Sequence, residues 1–299
     1  MSFRVVGIGE VLWDLLPSGP QLGGAPANFA YHAGQLGAGV QVITRVGRDA
    51  YGQKILQRFE EMNIDGGTVQ LDDQLPTGTV NVLLNGGTPQ FAIHRNVAWD
   101  ALSSPQEALE AAQSASAIYF GTLAQRNKSA AAVIQRLIAS TSSNSLRIFD
   151  VNLRQNFYSE EILKQSLEIA NVLKLNDYEL SAISLMFGLK GDVNQKIEQL
   201  VRRFDFRLVA LTRAEKGSLL YQSGNWSDLP GQKMDIVDTV GAGDAFTAAL
   251  VMGLLNQFDL EGIHRIAEEV ASFVCSQQGA TPVLPANLRT AFAPNCASV

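Results

Sequence analysis

The chain has 299 residues, 46% of them hydrophobic and 17% charged, with a formal net charge of -6. That is enough apolar material for a large core and too much for a disordered chain, while the mild acidity and lack of a basic run argue against nucleic acid as the main partner. Its two cysteines, Cys275 and Cys296, are too few for a disulfide framework and lack metal-ligand spacing, so a reducing cytoplasm is the expected setting.

The first apolar run, FRVVGIG (3–9), reads as a buried strand. Glu10 and Asp14 break the apolar segment after it, so neither a signal peptide nor a membrane span is expected at the N-terminus. Similar runs recur as VQVITRVG (40–47), SAIYFGT (116–122), LRIFDVN (146–152), NVLKLN (171–176) and RLVALT (207–212). Continuous apolar strands are those covered on both faces. Amphipathic stretches at 49–63, 127–140 and 193–204 lie between them. This alternation predicts an α/β fold: a doubly wound, mostly parallel sheet flanked by helices.

Residues 79–95 break the rhythm, alternating polar and apolar around Asn85-Gly86-Gly87. Asn-Gly supplies the positive φ of a tight hairpin turn, so an antiparallel hairpin is expected to project from the sheet. Residues 11–16 and 67–72 are candidates for further strands beside it. No linker or repeat is visible. The expected organisation is one domain over 1–299, with a small lid drawn from about 11–22 and 67–100. A homodimer through this lid is also expected, and sedimentation at micromolar concentration decides it.

The last informative stretch is DTVGAGDAF (238–246), followed by the helical AFTAALVMGLLNQ. Gly241-Ala242-Gly243 therefore falls at a helix N-terminus, where backbone N–H groups lack intrahelical partners and the macrodipole is positive. Small residues let an anion approach, which makes a phosphate cradle without lysine. Asp244 in the first turn has two readings: simple stabilisation of the helix end, or a general base beside the bound phosphate.

DTVGAGDAF resembles the C-terminal signature of the ribokinase-like (PfkB) carbohydrate kinases, and GGAPANFAYHAGQLG (23–37) resembles their N-terminal signature. The two lie in the expected order at opposite ends of the chain. The resemblance implies an ATP-dependent sugar kinase with a small β-sheet lid. Asp244 would be the catalytic base, and the amides of Ala242, Gly243 and Asp244 the anion hole for the γ-phosphate. Gly24 would let a sugar approach the backbone after Gly23, with Asn28 and Asp14 binding its hydroxyls. Without the resemblance, Gly23-Gly24 is a tight turn and Asp14 a solvated loop residue.

DVNLR (150–154) resembles the D-x-N-x-R element of fructokinases and 2-keto-3-deoxygluconate kinases. It sets Asp150, Asn152 and Arg154 at a strand's carboxyl end, with Arg154 contacting sugar or phosphate, or in a surface ion pair. NDYE (176–179) matches the N-x-x-E element that positions magnesium through water, and Asn176 with Glu179 also fits a capping box. AIHRNVAWD (92–100) implies Arg95 as a sugar contact, with Trp99 either stacked on the sugar or buried in the lid. Nucleotide binding falls on LTRAEKGSLLY (211–221), with Thr212 and Gly217, and on ASFVCSQQGA (271–280), with Gly279. Arg213 stands where the family commonly has glycine, and either meets nucleotide phosphates or points outward. Asp238 and Val240 match positions whose backbone carbonyls help bind potassium in relatives. GEVLWDLLP, GGAPAN and DVNLR together resemble fructokinases most, which implies phosphorylation of D-fructose at O6. Sugar and ATP are the expected ligands, with magnesium and optional potassium. Retained kinase-like folding without catalysis is the reading from another class.

Overall fold

The computed structural model describes residues 3–85, 88–231 and 235–292. Each apolar run expected as a buried strand is one: β1 (Arg4–Ile8), then, after the two lid strands β2 (Leu12–Leu16) and β3 (Gly19–Gly23), β4 (Gly39–Gly47). β5 (Val69–Asp72) follows, then the lid pair β6 (Gly78–Asn85) and β7 (Thr88–Ile93). The remaining strands are β8 (Ala117–Gly121), β9 (Leu146–Asp150), β10 (Val172–Asn176), β11 (Leu208–Thr212), β12 (Ser218–Gln222) and β13 (Asn225–Leu229).

The main sheet runs β13-β12-β11-β10-β9-β8-β1-β4-β5. Every pairing from β5 to β11 is parallel, whereas β12 and β13 add antiparallel at one edge. That terminal hairpin turns on Ser223 and Gly224, both at positive φ (49° and 88°), the geometry of a type I′ turn.

Strand residues alternate between two cores. Val5, Tyr119, Ile148 and Val172 face one layer; Val6, Phe120, Phe149 and Leu173 face the other. The first layer is closed by α1 (Ala25–Gln35), α2 (Ala50–Glu61), α8 (Ala242–Leu255), α9 (Leu260–Cys275) and the short α10 (Ala286–Arg289). The second is closed by α3 (Gln106–Ser114), α4 (Lys128–Ala139), α5 (Glu160–Ile169), α6 (Asp177–Phe187) and α7 (Val193–Phe204). Helix boundaries follow local chemistry: α7 starts at the capping box of Asp192 and Gln195 and stops where Asp205 turns left-handed at φ 58°. α8 is buried continuously from Ala245 to Gly253, as a helix apolar on all sides must be. Each large side chain it buries contributes about 1.5–3 kcal/mol, so its N-terminus is held on a rigid scaffold.

The smaller sheet runs β3-β2-β6-β7, with β6 and β7 antiparallel as expected; their Gly86-Gly87 turn lies outside the described residues. One expected lid strand belongs elsewhere. β5 pairs in parallel with β4 at the edge of the main sheet, Val69 opposite Thr44. Thr68 Oγ1 donates to Val42 O at 2.9 Å and Arg45 pairs with Asp72 at 2.8 Å, which ties this segment to β4 rather than to the hairpin. Chain crossings into the lid are also pinned. Trp13 Nε1 donates to Tyr51 O at 3.0 Å, and Thr77 Oγ1 donates to Asp49 Oδ1 at 2.7 Å.

Candidate active site

Two helix N-termini meet where the carboxyl ends of the parallel strands open. Gly241 caps α8 at φ 79°, and a Cβ there would stand 2.5 Å from Ala280 O and 2.7 Å from Ala280 Cα. Only glycine fits. Ala242 N makes a long 3.4 Å contact to Thr239 O. Among the described residues, the Gly243 and Asp244 amides have no acceptor outside the helix, as first-turn donors do not. Gly24 caps α1 at φ 112°, where a Cβ would come within 2.4 Å of Glu10 O.

Asn28 in α1 joins the two helices. Its Nδ2 donates to Asp244 Oδ2 at 2.9 Å, and the Tyr119 hydroxyl faces Asp244 Oδ1 at 3.4 Å. Asp14 on β2 turns its carboxylate toward Gly23, where a Cβ would be only 2.5 Å from Oδ2. The second glycine of the pair opens the backbone, and the first makes room for a carboxylate. Asn28, on the helix that Gly24 caps, thus meets Asp244 directly, Gly23 packs on Asp14, and the charges of Asp14 and Asp244 both feel Arg154.

The electrostatics are unusual. Burial pushes Asp244 up to about 6, with Asp150 adding to the rise and Asn28, Lys174 and Arg154 opposing it. Burial likewise raises Asp14 to about 6, against Arg154. Glu10, 3% exposed and with a buried Oε2 lacking any partner, rises to about 7, again chiefly through burial. Folded values above the ordinary ones mean that these carboxylates favour the fold at acid pH. Their contribution is complete below about pH 4 and is lost as pH rises through about 6 to 7. Three carboxylates raised by burial mark this region as a candidate for chemistry.

Beneath Asp244 lies a layer of which the motifs point only to Asp150. Tyr119 on β8 donates to Asp150 Oδ2 at 3.1 Å, and Lys174 Nζ donates to Asp150 Oδ1 at 3.1 Å. Asp150 and Lys174 are register partners on adjacent strands. Burial works against the charge of Lys174, yet Asp150, Glu179 and Asp244 hold its pKa above the ordinary value. A lysine inside a strand buried on both faces is the signal that could have found it, since Lys is almost never buried unpaired. Glu10, directly after the first apolar run, is another.

Asn176 and Glu179 form the capping box of α6, with Asn176 N donating to Glu179 Oε2 at 2.8 Å and Glu179 N donating to Asn176 Oδ1 at 2.9 Å. Glu179 Oε1 also accepts from Leu153 N at 3.0 Å, so this 2% exposed carboxylate fixes the loop bearing Asn152 and Arg154. Asn152 stands at φ 40° and Arg154 is exposed, with Nη1 donating only to Leu153 O. Both carboxyl oxygens of Glu179 being engaged, this pair fits magnesium only through water. Among the described residues, no cluster of three or more His, Cys, Asp or Glu could hold a metal ion.

Among the residues expected to meet nucleotide or potassium, Asp238 accepts from Val240 N and Gly279 N, both at 3.0 Å, which ties the glycine turn to the end of α9. Gly279 is at φ 79° and Thr212 ends β11. Gly217, at φ 84°, packs so closely on Leu229 O that a Cβ would approach to 2.0 Å. Arg213 turns onto the edge hairpin, bonding Asp228 and, at 3.0 Å, Ser218 O.

Of the two readings left open for Trp99, the structure takes the buried one. Trp99 is 1% exposed, and the Arg126 guanidinium covers its ring at 3.9 Å, so it offers no face to a sugar. Arg126 is anchored by Asp100 at 2.8 Å and His94 O, which explains the burial. Arg95 lies 4.8 Å over Phe157 and lines a cleft of about 920 Å³ with Arg126, Lys128 and Gln135, apart from the Asp14 and Asp244 carboxylates.

The family model described as pfkB family carbohydrate kinase matches residues 20–287. Fructokinase-1 of Oryza sativa subsp. japonica is 27% identical over 311 residues, covering 95% of each chain. The uncharacterized sugar kinase PH1459 from Pyrococcus horikoshii, in its crystal structure with ATP, superposes with a TM-score of 0.79 at 26% identity, covering 93% of this chain and 94% of that one. The 2-dehydro-3-deoxygluconokinase of Thermotoga maritima shares the fold, with a TM-score of 0.81 at 19% identity over 95% of this chain and 96% of that one. No helix among the described residues is long and apolar enough to cross a membrane. With the family model matched over most of its length, the chain belongs to the pfkB family of carbohydrate kinases and is an ATP-dependent sugar kinase.

Proposed function

We propose that the enzyme transfers the γ-phosphoryl group of ATP to O6 of D-fructose. The observation that carries this reading is Asp244, placed in the first turn of α8 beside the Gly243 and Asp244 amides, which have no acceptor outside the helix among the described residues, and hydrogen-bonded by Asn28 from the helix that Gly24 caps. Asp14 and Asn28 hold sugar hydroxyls, and Asp244 accepts a hydrogen bond from the O6 hydroxyl. As the O6–P bond forms, the bond from phosphorus to the β,γ-bridging oxygen breaks, ADP leaves, and the O6 proton passes to Asp244. The amides of Ala242, Gly243 and Asp244 carry charge on the transferring group. Asn176 and Glu179 would hold magnesium through water, and the ion would supply charge neutralisation at the nucleotide phosphates.

Pocket charge supports a neutral sugar over a keto acid. Glu10, Asp14 and Asp244 share it, Arg154 is the cation that all three feel, and Arg95 is committed to Phe157. A substrate carboxylate would add a fourth negative charge among them. A panel of sugars assayed with ATP and magnesium tests the reading. Turnover on D-fructose with no turnover on 2-keto-3-deoxygluconate is expected, and the reverse pattern overturns it. We also place potassium at the backbone of Asp238 and Val240; activity insensitive to replacing potassium by sodium argues against that.

A further inference from the structure

We propose that Lys174 is a positioning residue for phosphoryl transfer: its ammonium, held by Asp150 behind Gly243, supplies the positive charge that the glycine turn itself lacks. This rests on the reading that the transferred phosphate docks at the N-terminus of α8.

The geometry is specific. Lys174 lies in the middle of β10 between Leu173 and Leu175, both 0% exposed, and is itself only 7% exposed. Its Nζ reaches toward the start of α8, 3.1 Å from where a Cβ on Gly243 would stand. Gly243, lacking a side chain, therefore lets the ammonium approach the first turn whose amides are free at the helix N-terminus. From β9, Asp150 Oδ1 bonds it at 3.1 Å. Tyr119 on β8 holds the other oxygen of Asp150 at 3.1 Å, and Glu179 on α6 and Asp244 on α8 complete the charged surroundings.

This placement is hard to account for by stability. A cation at the positive end of a helix opposes the macrodipole. A buried lysine–aspartate pair is commonly matched or exceeded in stability by well-packed apolar residues of the same volume. The arrangement becomes favourable when a phosphate occupies the amides, because the anion then meets a helix dipole and a full positive charge in a water-poor setting. The pairing with Asp150 fixes that charge in place, so no reorganisation is needed as negative charge spreads over the phosphoryl oxygens.

The test compares wild type with Lys174→Met, Lys174→Arg and the double variant Lys174→Met/Asp150→Asn, in which the carboxylate bonded to the ammonium is neutralised with it. Melting temperature, kcat, KM for sugar and ATP, and the affinity for ADP with aluminium fluoride relative to ADP alone are measured. In the double variant kcat is expected to fall about tenfold to a hundredfold, less than for loss of a direct donor. Each KM stays within about threefold, and the preference for the aluminium fluoride complex drops by the same factor as kcat. Lys174→Arg recovers part of both. A double variant with wild-type kcat and wild-type preference would make the pair purely structural and overturn the proposal. If wild type itself shows no preference for the aluminium fluoride complex, docking at α8 is wrong and the proposal falls with it.

Discussion

Replacing Asp244 by Asn should lower kcat about a thousandfold, within the span of a positioned general base. The fold should be untouched, because an asparagine still accepts the 2.9 Å hydrogen bond from Asn28. KM for the sugar should move only a few-fold, as the amide keeps the shape of the carboxyl. The pH profile gives the sharper signature. Asp244 must be ionised to take a proton and its pKa is raised to about 6, so wild-type kcat/KM should fall as pH drops below about 6. Asp14 and Glu10, raised to about 6 and 7, titrate in the same range and broaden that limb. In Asp244→Asn the steepest component should vanish. A variant retaining more than about a tenth of wild-type kcat would contradict the assignment.

The second large effect is expected from Gly241→Ala. The added Cβ must be accommodated at φ 79°, which costs an ordinary residue about 1–2 kcal/mol, and it meets the backbone of Ala280 at 2.5 Å. Something has to shift. The nearest yielding element is the first turn of α8, the one that carries the amides and Asp244. A loss of kcat near a hundredfold is expected, comparable with loss of an oxyanion donor, together with a lower melting temperature. Gly37→Ala is the control. That glycine stands at φ 99° with nothing within 4 Å of its Cβ position, at the far end of α1. It should cost stability without changing kcat. Equal losses of activity in the two variants would show that the effect of Gly241→Ala is general destabilisation.

Much of this architecture is legible in the sequence because its signals are local. Runs such as FRVVGIG and LRIFDVN carry their own burial, so the sheet and its helices can be read strand by strand, and positive-φ glycines at Gly24 and Gly241 sit inside short motifs. The features that escape are set by pairing across the chain. β5 resembles a lid strand because alternation does not say which edge a short strand joins; Arg45 and Thr68 decide that. The β12–β13 hairpin escapes because its segment reads first as a nucleotide contact, which leaves the turn signal at Ser223-Gly224 unused. Arg213 and Trp99 take partners, Asp228 and Arg126, that their own motifs do not contain. Asp150 is visible as a strand-end carboxylate, but its link to Lys174 arises only when β9 and β10 align. Residue type shows what chemistry a position can do; register decides whether a partner is there.

The central claim places an ionised Asp244 where a sugar hydroxyl meets the terminal phosphorus of ATP. A crystal structure with D-fructose and a non-hydrolysable ATP analogue tests it most directly. The account predicts the sugar O6 within about 3.2 Å of an Asp244 carboxyl oxygen, in line with the γ-phosphorus, whose oxygens accept from the Gly243 and Asp244 amides. A sugar whose primary hydroxyls all lie beyond reach of Asp244, with the γ-phosphate away from the start of α8, would contradict it.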